Sequence, residues 1–520
     1  MRRPALPTPR LISSLLRFNY STPAKMAPPY PKPERTYEQA LSFLNELQSN
    51  QAVVSMVSSS NANSLAIPEM LGWLGKLRYT PETFNDLRVI HVAGTKGKGS
   101  VCAMLDSMMK QYLLTQNASG VTNSRKPLGR VGVFTSPHLI TPRERIRLDG
   151  LPISKELFTQ RFFELWDKFT AFALEDGHPN PQGAETKPGY FRFLTMLALH
   201  TFLRENVQTA IIECGIGGEY DSTNIISKEA KTTSVITRLG IDHVGMLGDT
   251  LGEIAWNKAG IMRPGVPCFT VPQPEEAMSV LQERATEAGT ILTVVERRPE
   301  LVHDKLKLGL EGDFQKDNAS LAIAALSSHL KAIGFGAIPE DNTPPEVQRG
   351  LSEIEWPGRC QVIQENNIEW LIDGAHTDDS LAEVARWFAG KWNPKTDQLG
   401  VLIFNSQLRD APRLAQKLQA SLQETTGTRD IFSLSGFPTN IPFEKDVPEP
   451  YVDTLQRETA AAWAEVGGSG EPAVYASIES AISGAREVAK ARHPEKVHVL
   501  VTGSLHLVGG FLKAMGAESE

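Results

Sequence analysis

The sequence predicts two α/β domains, the larger first, each built on a mostly parallel sheet. Three observations predict it. Short runs rich in β-branched residues, at 89–93, 131–134, 209–212, 234–237 and 267–271, alternate with stretches of helical periodicity. Composition shifts near 309–314, and residues 334–350 are rich in Pro, Gly and Asn. After that break the same rhythm restarts at 370–373, 400–404 and 497–501. Polar or glycine-rich turns follow the strands, where a parallel sheet places its ligand site. The expected division is 34–340 and 341–520, and 520 residues are ample for both.

Residues 1–33 stand apart from that rhythm. They carry Arg2, Arg3, Arg10, Arg17, Lys25 and Lys32, and Glu34 is the first acidic residue. Leu11, Ile12, Leu15, Leu16 and Phe18 fall on one helical face, the profile of a mitochondrial transit peptide. A disordered basic tail is the alternative. Met26 would start a second, cytosolic form, so mitochondrion and cytoplasm are both expected.

Residues 36–47 read as the first helix, with Thr36 and Gln39 placed as a capping box, and 57–64 as a loop. Strand 89–93 runs into the glycine turn Gly94, Gly97 and Gly99, and Ser100 opens a buried helix. Strand 131–134 ends at Ser136-Pro137, and Arg143, Arg145 and Arg147 alternate like an exposed strand. Helices follow at 158–174 and 190–203, with a loop at 176–181 between them. Strand 209–212 closes on Glu213 and more glycines, and 317–333 is helical. In the second half, 380–388 and 478–491 read as helices, while 426–472 holds too much Pro and Gly to assign.

A formal net charge of -7 argues against a general nucleic-acid binder. Cys102, Cys214, Cys268 and Cys360 are scattered, with no C-x-x-C pair, which suits a reducing compartment and gives no metal-thiolate site. No apolar run of the length of a membrane span appears, so no integral membrane association is expected.

Strand, glycine turn and helix at 89–105 form the geometry in which backbone N–H groups and a helix N-terminus converge on a phosphate. Lys98 would add a point charge and the Ser100 hydroxyl a Mg²⁺ ligand. The spacing departs from the standard phosphate loop, because Gly99 separates Lys98 from Ser100. The plain alternative is a glycine-rich turn of any α/β protein. Ser136, Glu213, His243 (after Asp242) and Lys258 offer a hydroxyl, a carboxylate, an imidazole and an amine near strand ends, a plausible hard-cation site. Taken singly, Ser136-Pro137 reads as a turn, Glu213 as a buried ion pair, His243 as a loop cap and Lys258 as a surface lysine. The arginine row reads as a solvated face.

The stretches HVAGTKGKGS (91–100), VFTSPHL (133–139), RERIRLDG (143–150) and IIECGIGGEYDSTN (211–224) closely resemble the folylpolyglutamate synthases. So do LGIDHVGMLGDTLGEIAWNKAGI (239–261), WPGRCQ (356–361), LIDGAHT (371–377) and VTGSLHLVGG (501–510). The resemblance runs from about residue 36 to the C-terminus. It implies a Mur ligase-like enzyme, with a larger P-loop-type ATPase domain and a smaller Rossmann-like C-terminal α/β domain. The implied reaction uses ATP to phosphorylate the γ-carboxylate of a folate's terminal glutamate. The amine of L-glutamate then displaces phosphate. Folate, L-glutamate and ATP are the implied small-molecule substrates, with Mg²⁺ in two sites, a monovalent cation such as K⁺, and a monomeric chain.

Carried over residue by residue, Gly97, Lys98, Gly99 and Ser100 resemble the ATP phosphate loop, and Gln315 and Asn318 the adenine side. Ser136, Glu213 and His243 match Mg²⁺ ligands. Lys258 aligns with a lysine that is carbamylated in bacterial relatives and holds the second ion. Arg359 resembles the group that meets phosphate charge, and Asp373 one on the ribose side. His376 and Ser504 resemble positions near the glutamate or the acyl phosphate. Lys98, Glu213, His243, Lys258, Arg359 and His376 are the implied catalytic set. Arg143, Arg145 and Arg147 are expected to attract the anionic folyl-glutamate tail. With ATP contacts in both domains, closure is expected to assemble the site.

The nearest rival is dihydrofolate synthase, which adds the first glutamate to dihydropteroate. A GTPase would need an Asp where Gly260 follows Asn257-Lys258-Ala259, and a non-catalytic nucleotide module would be expected to lack one of the metal ligands.

Overall fold

The computed structural model of the chain describes residues 35–48, 62–119, 128–393, 397–406, 409–439 and 454–517. The expected leader at 1–33 lies outside them. In the first half the strands are β1 (Val89–Ala93), β2 (Arg130–Phe134), β3 (Ile146–Leu148), β4 (Leu151–Pro152), β5 (Val207–Glu213), β6 (Lys231–Ile236), β7 (Cys268–Thr270) and β8 (Leu292–Val294). They form one sheet in the order β4-β3-β2-β5-β1-β6-β7-β8. From β2 to β8 every neighbouring pair is parallel, while β3 and β4 add an antiparallel edge.

Side-chain alternation along these strands splits the core in two. Val89, Phe134, Ala210 and Ile212 face an aromatic cluster built by the helices Lys155–Glu175 and Tyr190–Arg204, among them Phe162, Trp166 and Phe193. Ile90, Val92, Val131, Val133 and Ile211 face the helices Lys98–Ser119 and Gln315–Ala332. Thr36 caps its helix (Tyr37–Glu46) by accepting the Gln39 N–H, one of the two bonds of the capping box the sequence suggested.

The second sheet holds β9 (Gln361–Glu365), β10 (Ile368–Ile372), β11 (Gln398–Phe404), β12 (Phe432–Pro438), β13 (Glu471–Tyr475) and β14 (Lys496–Thr502). Its order is β13-β12-β11-β14-β10-β9, parallel except for β9. Trp370, Val401 and Val499 point to the helices Ile478–Arg492 and Leu505–Ala514. Leu371, Leu402 and Leu500 point to the opposite face.

Four sequence expectations change. Helix Ala62–Lys76 begins inside the stretch expected to be a loop. The 426–472 stretch supplies β12, helix Thr454–Glu465 and β13. The row Arg143–Arg147 is not an exposed strand: Pro142 opens a 3₁₀ helix (Pro142–Arg145), and β3 starts only at Ile146. The Glu144 carboxylate folds back to accept the N–H groups of Leu139, Ile140 and Thr141, a cap that outweighs the alternation. The domain change also comes later than 340/341, because helix Pro345–Ser352 packs on Lys98–Ser119 and adds Val347 and Leu351 to the first core.

That packing depends on Gly350, where a Cβ would stand 2.5 Å from Met108 Cα. Gly350→Ala should therefore lower stability by about 1–3 kcal/mol, read as a fall in the urea midpoint at unchanged slope. Gly75→Ala, which meets nothing within 4 Å, should match or exceed the wild type.

Candidate active site

Strand β1 lies at the centre of the first sheet, buried along its whole length, and delivers the glycine turn to the sheet's C-terminal edge. Gly94 and Gly97 have φ of 145° and 90°, and a Cβ on either would overlap Thr237 or Asn318. The helix begins at Lys98, two residues earlier than Ser100, so Lys98 and Gly99 sit in its first turn. Ser100 is buried and accepts from Gln315 Nε2 at 3.3 Å, and Gln315 Oε1 accepts from Asn318 Nδ2 at 2.9 Å. The residues expected on the adenine side thus pack directly against the turn. Trp356 Nε1 lies 3.4 Å from where a Gly99 Cβ would be.

Glu213 ends β5 beside this turn, buried. Its Oε2 accepts the Ser136 N–H at 3.0 Å, and Lys98 Nζ stands 3.9 Å from Oε1. Burial pushes the carboxyl up, against the pull of Lys98, the Ser136 N–H, Arg359 and Arg145. Asp221 follows on the same loop and is buried. Its carboxylate accepts the N–H groups of Gly215, Ile216 and Thr223 and the Thr223 hydroxyl, which pins the loop after Glu213.

His243 adopts φ 54°, the left-handed region, at the N-cap of the short helix Val244–Leu247. Burial keeps its pKa low, with Asp242 pulling the other way. Lys258 is buried on helix Leu251–Ala259 and donates to Gly94 O at 2.9 Å, behind the turn rather than on the cavity wall. Burial first, then Lys98, lowers its pKa to about 7.

The second domain supplies the opposite wall. Arg359 Nη1 donates to Gly358 O at 3.2 Å, and Asp373 accepts the N–H groups of Cys360 and Ala375. Burial raises the Asp373 carboxyl, with Arg359 opposing. His376 Nδ1 lies 2.7 Å from Gly374 O, which can only accept, so Nδ1 carries the proton and Nε2 keeps its lone pair. Burial lowers its pKa to about 4. The Ser504 hydroxyl accepts the Leu507 N–H as a helix cap and lines the same cavity.

These groups surround one cavity of about 1870 Å³, with an apolar end formed by Leu65, Trp73, Tyr190 and Phe191. That is roomier than the roughly 300–1,000 Å³ of a single small-molecule pocket. Lys98, Ser100, Ser136, Arg145, Glu213, His243, Asn318, Arg359, Asp373, His376 and Ser504 all border it. Arg143 does not. Its guanidinium is buried against Ile153 O and Tyr37, which corrects the expectation that it attracts substrate. Arg147 is likewise committed, to Asp106, Gly150 O and the Trp356 ring. Arg145 alone of the row reaches the cavity, held by His138 Nδ1 at 2.8 Å.

A glycine-rich turn on a central parallel strand, faced across a cleft by charged groups of a second α/β domain, defines a class: two-domain α/β proteins of the Mur ligase fold. A Mycobacterium tuberculosis folylpolyglutamate synthase complexed with ADP and AMPPCP shares the fold at TM-score 0.66 and 24% identity, over 88% of this chain and 96% of that one. An FPGS–AMPPCP–folate complex does so at TM-score 0.64 and 21% identity, over 92% and 99%. Residues 358–514 match the family model described as dihydrofolate synthetase, C-terminal domain. Folylpolyglutamate synthases of Neurospora crassa and Saccharomyces cerevisiae (strain FostersO) are each 38% identical. The match spans 92% of this chain and 91% and 86% of theirs. The chain belongs to the folylpolyglutamate synthase family.

The buried amine of Lys258 gives a prediction with a definite sign. Its pKa is near 7 folded and near 10.5 unfolded, so the unfolded state binds more protons between those values and stability rises with pH across them. Lys258→Met removes this slope, at most about 1.4 kcal/mol per pH unit. Its melting temperature relative to wild type should be highest near pH 7 and fall steadily toward pH 10, checked by thermal melts across that range.

Proposed function

We propose that this chain is an ATP-dependent ligase that joins the amine of L-glutamate to the γ-carboxylate of a folyl-(poly)glutamate through an acyl phosphate, releasing ADP and phosphate. The observation that carries the reading is the opposition, across one cavity, of the Lys98–Ser100 turn to Arg359 and His376. Relatives bearing the synthase name and fold neighbours holding AMPPCP and folate support it. A carboxylate is a poor electrophile, and phosphorylation provides the leaving group. The protein's part is then positioning and charge neutralisation.

In this reading the turn's N–H groups and Lys98 cradle the nucleotide phosphates, and Arg359 meets the charge that develops on the transferred phosphoryl group. Ser136, Glu213 and His243 would hold Mg²⁺. Glu213 fits, because its buried carboxylate borders the cavity and the ammonium of Lys98 stands 3.9 Å away, beyond hydrogen-bond distance. Among the described residues no three His, Cys, Asp or Glu side chains cluster as a closed cage. When bound, Mg²⁺ supplies neutralisation of phosphate oxygens. His376, neutral and with Nδ1 committed, offers Nε2 to take the amine proton as the C–N bond forms and the bond from carbon to phosphate oxygen breaks. Arg145, on the cavity wall, would meet the folate's glutamyl carboxylate.

We extend the proposal to a second Mg²⁺, K⁺ dependence, a monomeric chain and targeting by 1–33 to mitochondria, with a cytosolic form from Met26. Carbamylation of Lys258 belongs with it. The neutral amine that burial favours is the form that adds CO₂ and releases a proton. An intact-mass spectrum of the Mg²⁺-bound protein should carry one added CO₂ that Lys258→Met lacks.

The deciding experiment follows ADP release and product mass with MgATP, L-glutamate and either tetrahydrofolate or dihydropteroate. Turnover with tetrahydrofolate and a product heavier by one glutamate is expected, and Glu213→Ala should lose at least about 10²–10³ in kcat. The family model's dihydrofolate synthetase description favours one second reading. Turnover with dihydropteroate alone would establish it in place of the first.

A further inference from the structure

The site leaves one buried lysine unused. Lys231 opens β6, is 5% exposed and does not border the cavity. Its Nζ donates to Ile261 O at 2.8 Å and to Asn224 Oδ1 at 3.4 Å. Among the described residues no carboxylate pairs with it. Burial and the positive charge of Arg263 push its pKa well below the ordinary lysine value, against a smaller pull from the Cys214 and Cys268 thiols. A buried amine held by two neutral oxygens is a costly way to fill space. Neither oxygen depends on it. Ile261 O also accepts from Ser234 Oγ at 3.3 Å, and Asn224 Oδ1 from Arg263 Nη2 at 2.6 Å. What sets Lys231 apart is where it pulls.

It pulls on the end of helix Leu251–Ala259, in whose last turn Lys258 stands. The loop that follows Glu213 packs on that same end. The Glu219 N–H donates to Asn257 O at 2.7 Å, and a Cβ on Gly218 would stand 2.7 Å from Lys258 O. Gly260 O accepts from Asn224 Nδ2 at 3.0 Å and from Arg263 Nη1 at 2.8 Å. The next carbonyl, Ile261 O, takes both its side-chain donors, Lys231 and Ser234, from β6. Strand β6 lies beside β1, with Val89 opposite Lys231, so the helix end is tied to the neighbour of the strand that carries the glycine turn. Lys258 spans the gap, its Nζ on Gly94 O.

We propose that Lys231 is a positioning residue: by holding the Ile261 carbonyl against the start of β6, it sets where Lys258 stands behind the glycine turn and beside the Glu213 loop. Charged or neutral, its amine has N–H groups to donate, so the tie persists in both forms. Its bearing on turnover rests on the ligase reading above.

The test compares Lys231→Met with wild type in the full chain. It uses thermal melts, calorimetric titration with AMPPCP in the presence of Mg²⁺, and kcat with MgATP, L-glutamate and tetrahydrofolate. Met keeps most of the side chain's volume and leaves no acceptor bare, so the melting temperature should be no lower than that of wild type. The Kd for AMPPCP should rise and kcat should fall, each about tenfold. In a Lys258→Met background the same change should leave Kd where Lys258→Met alone puts it. Ser234→Ala removes the longer bond to the same carbonyl and repeats the test without touching the buried amine. Its Kd should rise about threefold. A lower melting temperature with Kd and kcat unchanged would make Lys231 merely structural and overturn the proposal. So would Kd effects that add in the double variant, or an unchanged Kd in both Lys231→Met and Ser234→Ala. A wild type that binds AMPPCP but turns over neither tetrahydrofolate nor dihydropteroate would sink the ligase reading, and the Kd comparison would still decide the part played by Lys231.

Discussion

Burying a carboxylate at the end of a central strand is costly unless several groups share the task of balancing it. Glu213 draws that balance from separate parts of the chain: Lys98 from the glycine turn, the Ser136 N–H from the loop after β2, Arg145 from the turn before β3, and Arg359 from the second domain. Those four segments have to arrive together for the charge to be tolerable. The sheet order brings β1 and β2 to either side of β5 and so delivers the first two without any specialised loop.

The same need for close approach explains where side chains are missing. Gly94 and Gly97 give way to Thr237 and Asn318, Gly99 to Trp356, and Gly509 to the Leu139 carbonyl. Each position lets a second segment come close, and one of the four, Gly509 against Leu139, joins the two domains. Arg147 stacks on Trp356 and so braces the segment leading into the second domain.

What could be read from the sequence was whatever depends on local pattern. Strand β1 and its turn, Glu213 at a strand end, and the restart of the βα rhythm near Trp370 are all local, and the structure has them. The arginine row misled because period-two spacing carries no weight once Pro142 and the Glu144 cap fix a 3₁₀ turn. Strand β9 went unseen because it is antiparallel and only half-buried, so its alternation is weak. Asp221, Lys96 and Arg409 were beyond reach for another reason: their partners are N–H groups and side chains that only the tertiary fold brings near. Lys258 resembled a surface lysine because nothing local announces that its helix packs behind Gly94.

The joint at Leu139 and Gly509 shares its loop with Ser136, whereas the Lys96–Thr377 and Arg409–Asp242 contacts lie at the cavity. Mechanically the second domain is a lever whose fulcrum adjoins the Glu213 carboxylate. A rotation too small to disturb the Ser136–Glu213 bond would sweep His376 and the rim through a longer arc.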